Sequence, residues 1–273
     1  MCGHCGCGDP ANVTVTSMQH DATEHVHADG TRHNHAHNEG HHHHEHADAD
    51  TTTLALHTRI LAKNDALAAR NRGWFAGREI LAVNLVSAPG AGKTTLLERT
   101  IRALATEFAI GVLEGDQATT LDADRIRATG AAVVQLNTGT GCHLEADMIG
   151  RGLAALRPAS GSIVLIENVG NLVCPAMFDL GEWAKAVILS VTEGDDKPLK
   201  YPHMFRAASV MVLNKIDLLP HVDFDVARAV ANAREVNPDI SVLQVSARSG
   251  EGLEAWLAWL RAAATAARAA AFN

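Results

Sequence analysis

Ile80-Leu81-Ala82-Val83-Asn84-Leu85-Val86 runs directly into Ser87-Ala88-Pro89-Gly90-Ala91-Gly92-Lys93-Thr94-Thr95, and this junction decides the fold. The first stretch is a short apolar run, the pattern of a strand buried on both faces. The second is rich in glycine and proline and opens a helical stretch over residues 94–108. Strand, glycine-rich loop and helix in that order describe a phosphate loop, whose backbone amides converge on phosphate oxygens. The generic pattern begins with glycine, where this chain has Ser87. Gly90 and Gly92 still supply the permissive backbone on either side of Ala91. Lys93 is placed to bridge the β and γ phosphates, Thr94 to ligate Mg²⁺, and the helix N-terminus favours the anion. Gly90, Ala91, Gly92, Lys93, Thr94 and Thr95 thus form the expected phosphate-binding set. An ordinary turn between strand and helix is the bland alternative.

Outward from this unit, the hydrophobic period switches repeatedly. Residues 54–72 read as a helix, with Asn71-Arg72-Gly73 as its stop. A strand is expected at residues 110–113, with a loop opening at Glu114-Gly115-Asp116. Further apolar runs fall at 133–136, 163–166, 187–191, 210–213 and 242–245. Alanine-rich helical stretches lie between them at 144–156, 226–235 and 253–264, the last running on into alanines expected to fray. Strands alternating with helices predict an α/β fold, a three-layer sandwich around a mostly parallel sheet of about seven strands. The domain boundaries expected are 1–52 for a Cys/His-rich tail and 53–273 for the phosphate-loop domain.

Asn214-Lys215-Ile216-Asp217 follows the run at 210–213, and Ser246-Ala247 ends the next one. A carboxylate such as Asp217 can accept two hydrogen bonds from the N1 and N2 donors of guanine. Adenine lacks that pair, and an unpaired buried carboxylate would penalise it. Ser246 and Ala247 are expected to meet guanine O6 through their amides, so the predicted nucleotide is GTP or GDP. Two acids close strands near the phosphates. Asp116 is the candidate Mg²⁺-associated or water-orienting carboxylate, and Glu167, in Glu167-Asn168-Val169-Gly170, occupies the place where nucleotidases put an acid near Mg²⁺. Gly170 could offer its amide to the γ-phosphate and move when that group leaves. With Lys93, these acids make the catalytic set. No glutamine stands in an obvious water-orienting position and no arginine finger can be picked out. Unaided turnover is therefore expected to be slow, on the order of 10⁻⁴ to 10⁻² per second.

The first fifty residues hold twelve of the sixteen histidines, eight acids and a single arginine, with almost no aliphatic pattern. Such a segment cannot bury enough apolar surface to offset its ordering entropy and is expected to be disordered. It carries nearly all of the formal net charge of -8. The remainder is close to neutral, which argues against nucleic acid as a partner. Five cysteines suit no disulfide framework, no secretory leader is apparent, and the apolar runs are too short to span a bilayer. A cytoplasmic protein is the expectation.

Cys2-Gly3-His4-Cys5-Gly6-Cys7 packs three thiols and an imidazole into six residues, with glycines that ease wrapping around one ion. Thiolates, imidazole and a terminal amine suit square-planar Ni²⁺ or tetrahedral Zn²⁺. His33, His35, His37, His41, His42, His43, His44 and His46 read as an imidazole reservoir without a defined site. Inside the domain, Cys142-His143 follows the loop Thr138-Gly139-Thr140-Gly141, and Cys174 lies seven residues beyond Glu167. Buried structural cysteines are the alternative there. Three ligands leave a shell that water or a second copy of the chain could complete.

Taken together, these residues resemble the hydrogenase nickel-incorporation GTPase family, HypB. The resemblance covers residues 80–250, and the Cys-x-x-Cys-x-Cys start and histidine tract add to it. In that family the phosphate loop also tends to begin with serine, which accounts for Ser87. The resemblance implies a fold of the SIMIBI type, a metal site on Cys142, His143 and Cys174, and a tight nickel site on Cys2, Cys5 and Cys7. It further implies a GTP-dependent homodimer, with a HypA-type nickel chaperone and the hydrogenase large-subunit precursor as partners. The expected function is a GTP-hydrolysing metallochaperone delivering nickel to the [NiFe]-hydrogenase precursor. A urease- or cobalamin-related metallochaperone GTPase and a nickel or zinc storage protein are the rival readings.

Overall fold

The computed structural model describes residues 24–26, 32–34, 47–116, 121–139 and 141–271. The chain divides into two units, Met1–Thr58 and Arg59–Asn273. In the first, β1 (Glu24–Val26) pairs antiparallel with β2 (Arg32–Asn34), placing Glu24 opposite Asn34. Cys2, Cys5 and Cys7 lie outside the described residues, as does the histidine tract beyond His33.

Helix α1 (Ala47–Ala76) starts earlier and ends later than its expected 54–72 span. Its opening Ala47-Asp48-Ala49-Asp50 combines the best helix former with acids suited to a helix N-terminus. At the other end, Gly73 does not stop it. A mid-helix glycine costs about 1 kcal/mol, less than the ~1.5–3 kcal/mol gained by burying an aromatic or aliphatic side chain such as Phe75. The chain turns instead at Glu79, which takes a left-handed φ of 56°.

The remaining elements are β3 (Leu81–Ser87), α2 (Lys93–Leu104), β4 (Ile110–Asp116), α3 (Leu121–Arg127), β5 (Ala132–Asn137), α4 (Ala146–Leu156), β6 (Ile163–Glu167), α5 (Cys174–Met177) and β7 (Ala184–Ser190), followed by α6 (Lys197–Lys200), α7 (Pro202–Ala207), β8 (Val210–Asn214), a 3₁₀ turn (Ile216–His221), α8 (Val226–Val236), β9 (Ser241–Val245) and α9 (Leu253–Ala270). Seven strands form one sheet in the order β5-β4-β6-β3-β7-β8-β9. Every neighbouring pair in it is parallel. The sheet is thus wholly rather than mostly parallel. Among the described residues, no helix is long and apolar enough to cross a membrane.

Strand β3 lies at the centre, and its alternation fixes the layers. Leu81, Val83 and Leu85 pack against Leu96, Leu97 and Ile101 of α2 and Trp256, Leu257 and Leu260 of α9. Ala82 joins a cluster with Phe75, Ile149 and Leu153, while Val86 joins another with Met204 and Phe205. Glu114-Gly115-Asp116 departs from expectation: it continues β4 instead of opening a loop. Gly115 is required there because a Cβ would come within 2.8 Å of Leu144. The short helices α5, α6 and α7, each with proline at its start, were not foreseen.

Candidate functional site

The phosphate loop leaves the C-terminal edge of β3, between β6 and β7. Gly90 and Gly92 take φ of 75° and 97°, the left-handed region open to glycine. Gly92 also has no room for a side chain, since a Cβ would sit 2.6 Å from Asn214 Nδ2. Lys93 Nζ donates to Ser87 Oγ at 3.0 Å, so serine in first position offers the ammonium an acceptor that glycine could not. One strand over, Glu167 ends β6 and accepts from Thr94 Oγ1 at 2.8 Å. The segment after Glu167 rests on the loop itself: a Cβ on Gly170 would lie 3.1–3.2 Å from Pro89.

Gly90, Gly92, Lys93, Thr94, Glu167 and Gly170 line a cavity of about 480 Å³, together with Asp122, Arg125 and Cys142. Its electrostatics are set by carboxylates held side by side. Glu114 on β4 and Glu167 on β6 are paired in register, and both are buried. Burial first, and then the charges of Glu167, Asp116 and Asp122, raise Glu114 to about 8 from an ordinary 4.5. Burial raises Glu167 to about 7, opposed by the Lys93 ammonium and the Thr94 hydrogen bond. Lys93 is itself lowered by burial, against the pull of Glu167, Asp122 and Glu114. A divalent cation beside Thr94 and Glu167 would suit this charge balance, and Glu114 Oε2 and Glu167 Oε2 are buried without a hydrogen-bond partner among the described residues. Asp116, the acid singled out by sequence, ends β4 beside Asn137 and is not among the residues that line the cavity. Arg125 is there instead, donating to Thr95 Oγ1 at 3.2 Å and Glu98 at 2.8 Å.

A second cavity, of about 380 Å³, adjoins the first at Gly92 and Thr95 and is closed by Asn214, Lys215, Asp217 and Ala247. Asn214 Nδ2 donates to Ala91 O at 2.8 Å and Lys215 Nζ to Gly90 O at 2.7 Å. These bonds tie the base-reading motif to the phosphate loop. They hold Lys215 at a left-handed φ of 63°, a strained conformation for a residue with a side chain. Ser246 Oγ donates to Asp217 Oδ1, orienting the carboxylate. Ser246 N donates to Glu251 O within the turn after β9, and Ala247 N to Asn214 Oδ1 at the end of β8.

Cys142, His143 and Cys174 converge, their ligand atoms all within 4.8 Å of one another. Cys142 Sγ lies 2.9 Å from Cys174 Sγ and 3.7 Å from His143 Nδ1. The imidazole is buried, stacks on Phe178 at 4.0 Å between centroids, and turns Nε2 toward Glu145 Oε1 at 3.8 Å. Two thiols and an imidazole fit a borderline divalent ion such as Ni²⁺ or Zn²⁺. Cys142 belongs to both places, since it also lines the phosphate cavity.

The chain matches the CobW/HypB/UreG nucleotide-binding domain over residues 81–244. It is 60% identical over 207 residues to the hydrogenase maturation factor HypB of Azotobacter vinelandii, covering 76% of this chain and 68% of that one. The chain belongs to the HypB family. The HypB of Escherichia coli K12 is 58% identical over 207 residues, which span 76% of this chain and 71% of the relative. Among solved structures, HypB from Archaeoglobus fulgidus superposes with a TM-score of 0.70 at 40% identity, covering 74% of this chain and 99% of that one. HypB from Helicobacter pylori, solved in complex with nickel, has the same TM-score at 36% identity, over 74% and 95% of the two chains. HypB is thus the family both by sequence and by fold, and its domain is that of a phosphate-loop GTPase that takes GTP or GDP with Mg²⁺.

Glu114, Asp122 and Arg125 escaped the sequence reading. Glu114 is hidden by its position two residues before a more conspicuous aspartate. Asp122 and Arg125 reach the cavity only through the packing of α3.

Proposed function

We propose that this chain is a GTP-hydrolysing metallochaperone that binds nickel and delivers it to the large-subunit precursor of a [NiFe]-hydrogenase. The observation that carries this reading is the double membership of Cys142, which lines the phosphate cavity while its sulfur lies 2.9 Å from that of Cys174. Lys93 and the loop Gly90-Ala91-Gly92 hold the phosphates, with Thr95 beside them. Thr94 and Glu167 would hold Mg²⁺, with Asp116 in support, and the ion would neutralise charge on the β and γ oxygens. Asn214, Lys215 and Asp217 select guanine, with Ser246 and Ala247 bracing them. Gly170 meets the γ-phosphate and yields when hydrolysis to GDP and phosphate removes it. The segment from Glu167 to Cys174 then relaxes, and the thiols change their hold on Ni²⁺ or Zn²⁺.

Turnover without a partner is slow, since Arg125 is committed to Glu98 and Thr95. A GTP-dependent homodimer would complete the ligand shell. Nickel arrives at or leaves this site through Cys2, Cys5, Cys7 and a HypA-type chaperone, in the cytoplasm. The test compares nickel affinity in the GDP and non-hydrolysable GTP forms of the wild type and of Cys142→Ala/Cys174→Ala. Nucleotide-dependent affinity in the wild type that the double variant lacks is expected. Equal affinity in both wild-type forms would leave a storage protein.

A further inference from the structure

One face of the sheet has a continuous apolar core, but the other carries two apolar clusters with a polar boundary. On β3, Ala82 belongs to one of these clusters and Val86 to the other, and between them stands Asn84, wholly buried. Asn84 Nδ2 donates to Glu182 Oε1 at 3.0 Å, and its Oδ1 accepts from Asn168 Nδ2 at 3.2 Å. Asn168 Oδ1 accepts from the amides of Leu144 at 3.2 Å and Val169 at 3.0 Å. On the other side, Glu182 Oε2 accepts from Leu180 N at 2.7 Å, and Lys185 Nζ lies 3.6 Å from Glu182 Oε1 while donating to Pro175 O at 2.8 Å. Asn84, Asn168, Glu182 and Lys185 are all buried.

Apolar residues at these four positions would merge the two clusters and avoid taking an ion pair out of water. What the polar residues provide instead is connection. Asn168 directly follows Glu167, Leu144 directly follows Cys142-His143, and Pro175 directly follows Cys174. One chain of hydrogen bonds, extended by the Glu182–Lys185 ion pair, therefore grips the nucleotide-facing loop and the backbones of both thiol-bearing segments. Asn84 and Asn168 at its centre are enclosed, so no solvent can replace a bond that lengthens there, and a shift at one end must be followed or the chain breaks.

We infer that Asn84, Asn168, Glu182 and Lys185 form a buried coupling strut, with Asn84 as the positioning residue at its centre. It transmits the position of the loop after Glu167 to Cys142 and Cys174 together. The inference rests on the metallochaperone reading and assigns that reading a mechanical part.

The test uses the full chain without metal and follows the alkylation of Cys142 and Cys174 by iodoacetamide, resolved peptide by peptide with mass spectrometry. Rates are compared in Mg²⁺·GDP and in Mg²⁺ with a non-hydrolysable GTP analogue. In the wild type the two nucleotides should give rates about fivefold or more apart, the low end of ordinary coupling. Asn84→Leu joins the clusters, and Asn84→Ser keeps a polar group too short to reach both Glu182 and Asn168. In each, the ratio of rates between nucleotides should fall to near one while guanine-nucleotide affinity is kept. A purely structural role would raise both rates and leave their ratio alone. If Asn84→Leu does not fold, Asn84→Ser decides. A wild-type ratio above one that survives in the folded variants overturns the strut alone. A wild-type ratio of one overturns the nucleotide–metal coupling of the proposed function and the strut with it.

Discussion

Ser87 stands where phosphate loops usually carry glycine, and it accepts a hydrogen bond from Lys93, whose ammonium must otherwise satisfy itself among buried carboxylates. Those carboxylates have a measurable consequence. Glu114 titrates near 8 and Glu167 near 7, against an ordinary value of 4.5 for each. A carboxyl whose pKa is higher folded than unfolded binds its proton more tightly in the native state. Its contribution to stability is complete below the unfolded value and is lost as pH rises through the folded one. Protein free of nucleotide and metal should therefore lose stability as pH climbs from about 5 to about 8. Glu114→Gln cannot titrate, so its stability should fall less steeply over that range. Urea unfolding midpoints at several pH values check this, and parallel slopes for the two proteins would refute it.

Helix α1 shows how elements hold the site without touching nucleotide. Asn64 Nδ2 donates to Asp179 O at 2.7 Å and its Oδ1 accepts from Ala146 N at 2.9 Å. Asn71 Nδ2 donates to Ala146 O at 2.8 Å and Leu180 O at 3.1 Å. The helix thus clamps the start of α4, just beyond Cys142-His143, and the turn beyond α5, which carries Cys174. Gly181 permits the approach, for a Cβ there would lie within 2.8 Å of the Arg72 amide. Asn71→Ala removes two buried hydrogen bonds, to Ala146 O and Leu180 O, and should cost about 1–3 kcal/mol in urea unfolding. A loss within error would mean that water replaces the amide. None of this was legible in the chain, where Asn71-Arg72-Gly73 looked like a helix stop. Fully buried parallel strands are legible because their apolar runs contain few polar residues, and the phosphate loop because its spacing is dictated by local backbone. Glu114 on β4 hides for the opposite reason, since a carboxylate buried in a strand looks like the opening of a loop. Helices as short as α5, with four residues, have no period to detect. Cys142-His143 and Cys174 were legible as candidate ligands from the thiol–imidazole pair and from the position of Cys174 beyond Glu167, but their distance was not, because no spacing rule joins residues on separate loops.

At the scale of the whole molecule, the sheet order is what makes coupling possible. Placing β6 beside β3 puts Glu167 next to the phosphate loop, and the chain leaving β6 then reaches Cys174 within one short segment. Sites joined through one segment must obey linkage. If a GTP analogue changes nickel affinity by some factor relative to apoprotein, nickel must change affinity for that analogue by the same factor. A coupling of about 1–3 kcal/mol, or roughly 5- to 150-fold, is the expected size. Nickel held at Cys2, Cys5 and Cys7, as the proposed function has it, would complicate a simple titration, so a Cys2→Ala/Cys5→Ala/Cys7→Ala background isolates the internal site. In that background, calorimetry of nickel with and without analogue, and of analogue with and without nickel, should give matching factors. Adding Cys142→Ala should bring both factors to one. Matching factors that persist without Cys142 would place the coupled metal elsewhere, because a thiol absent from the site cannot carry the differential contact that linkage requires.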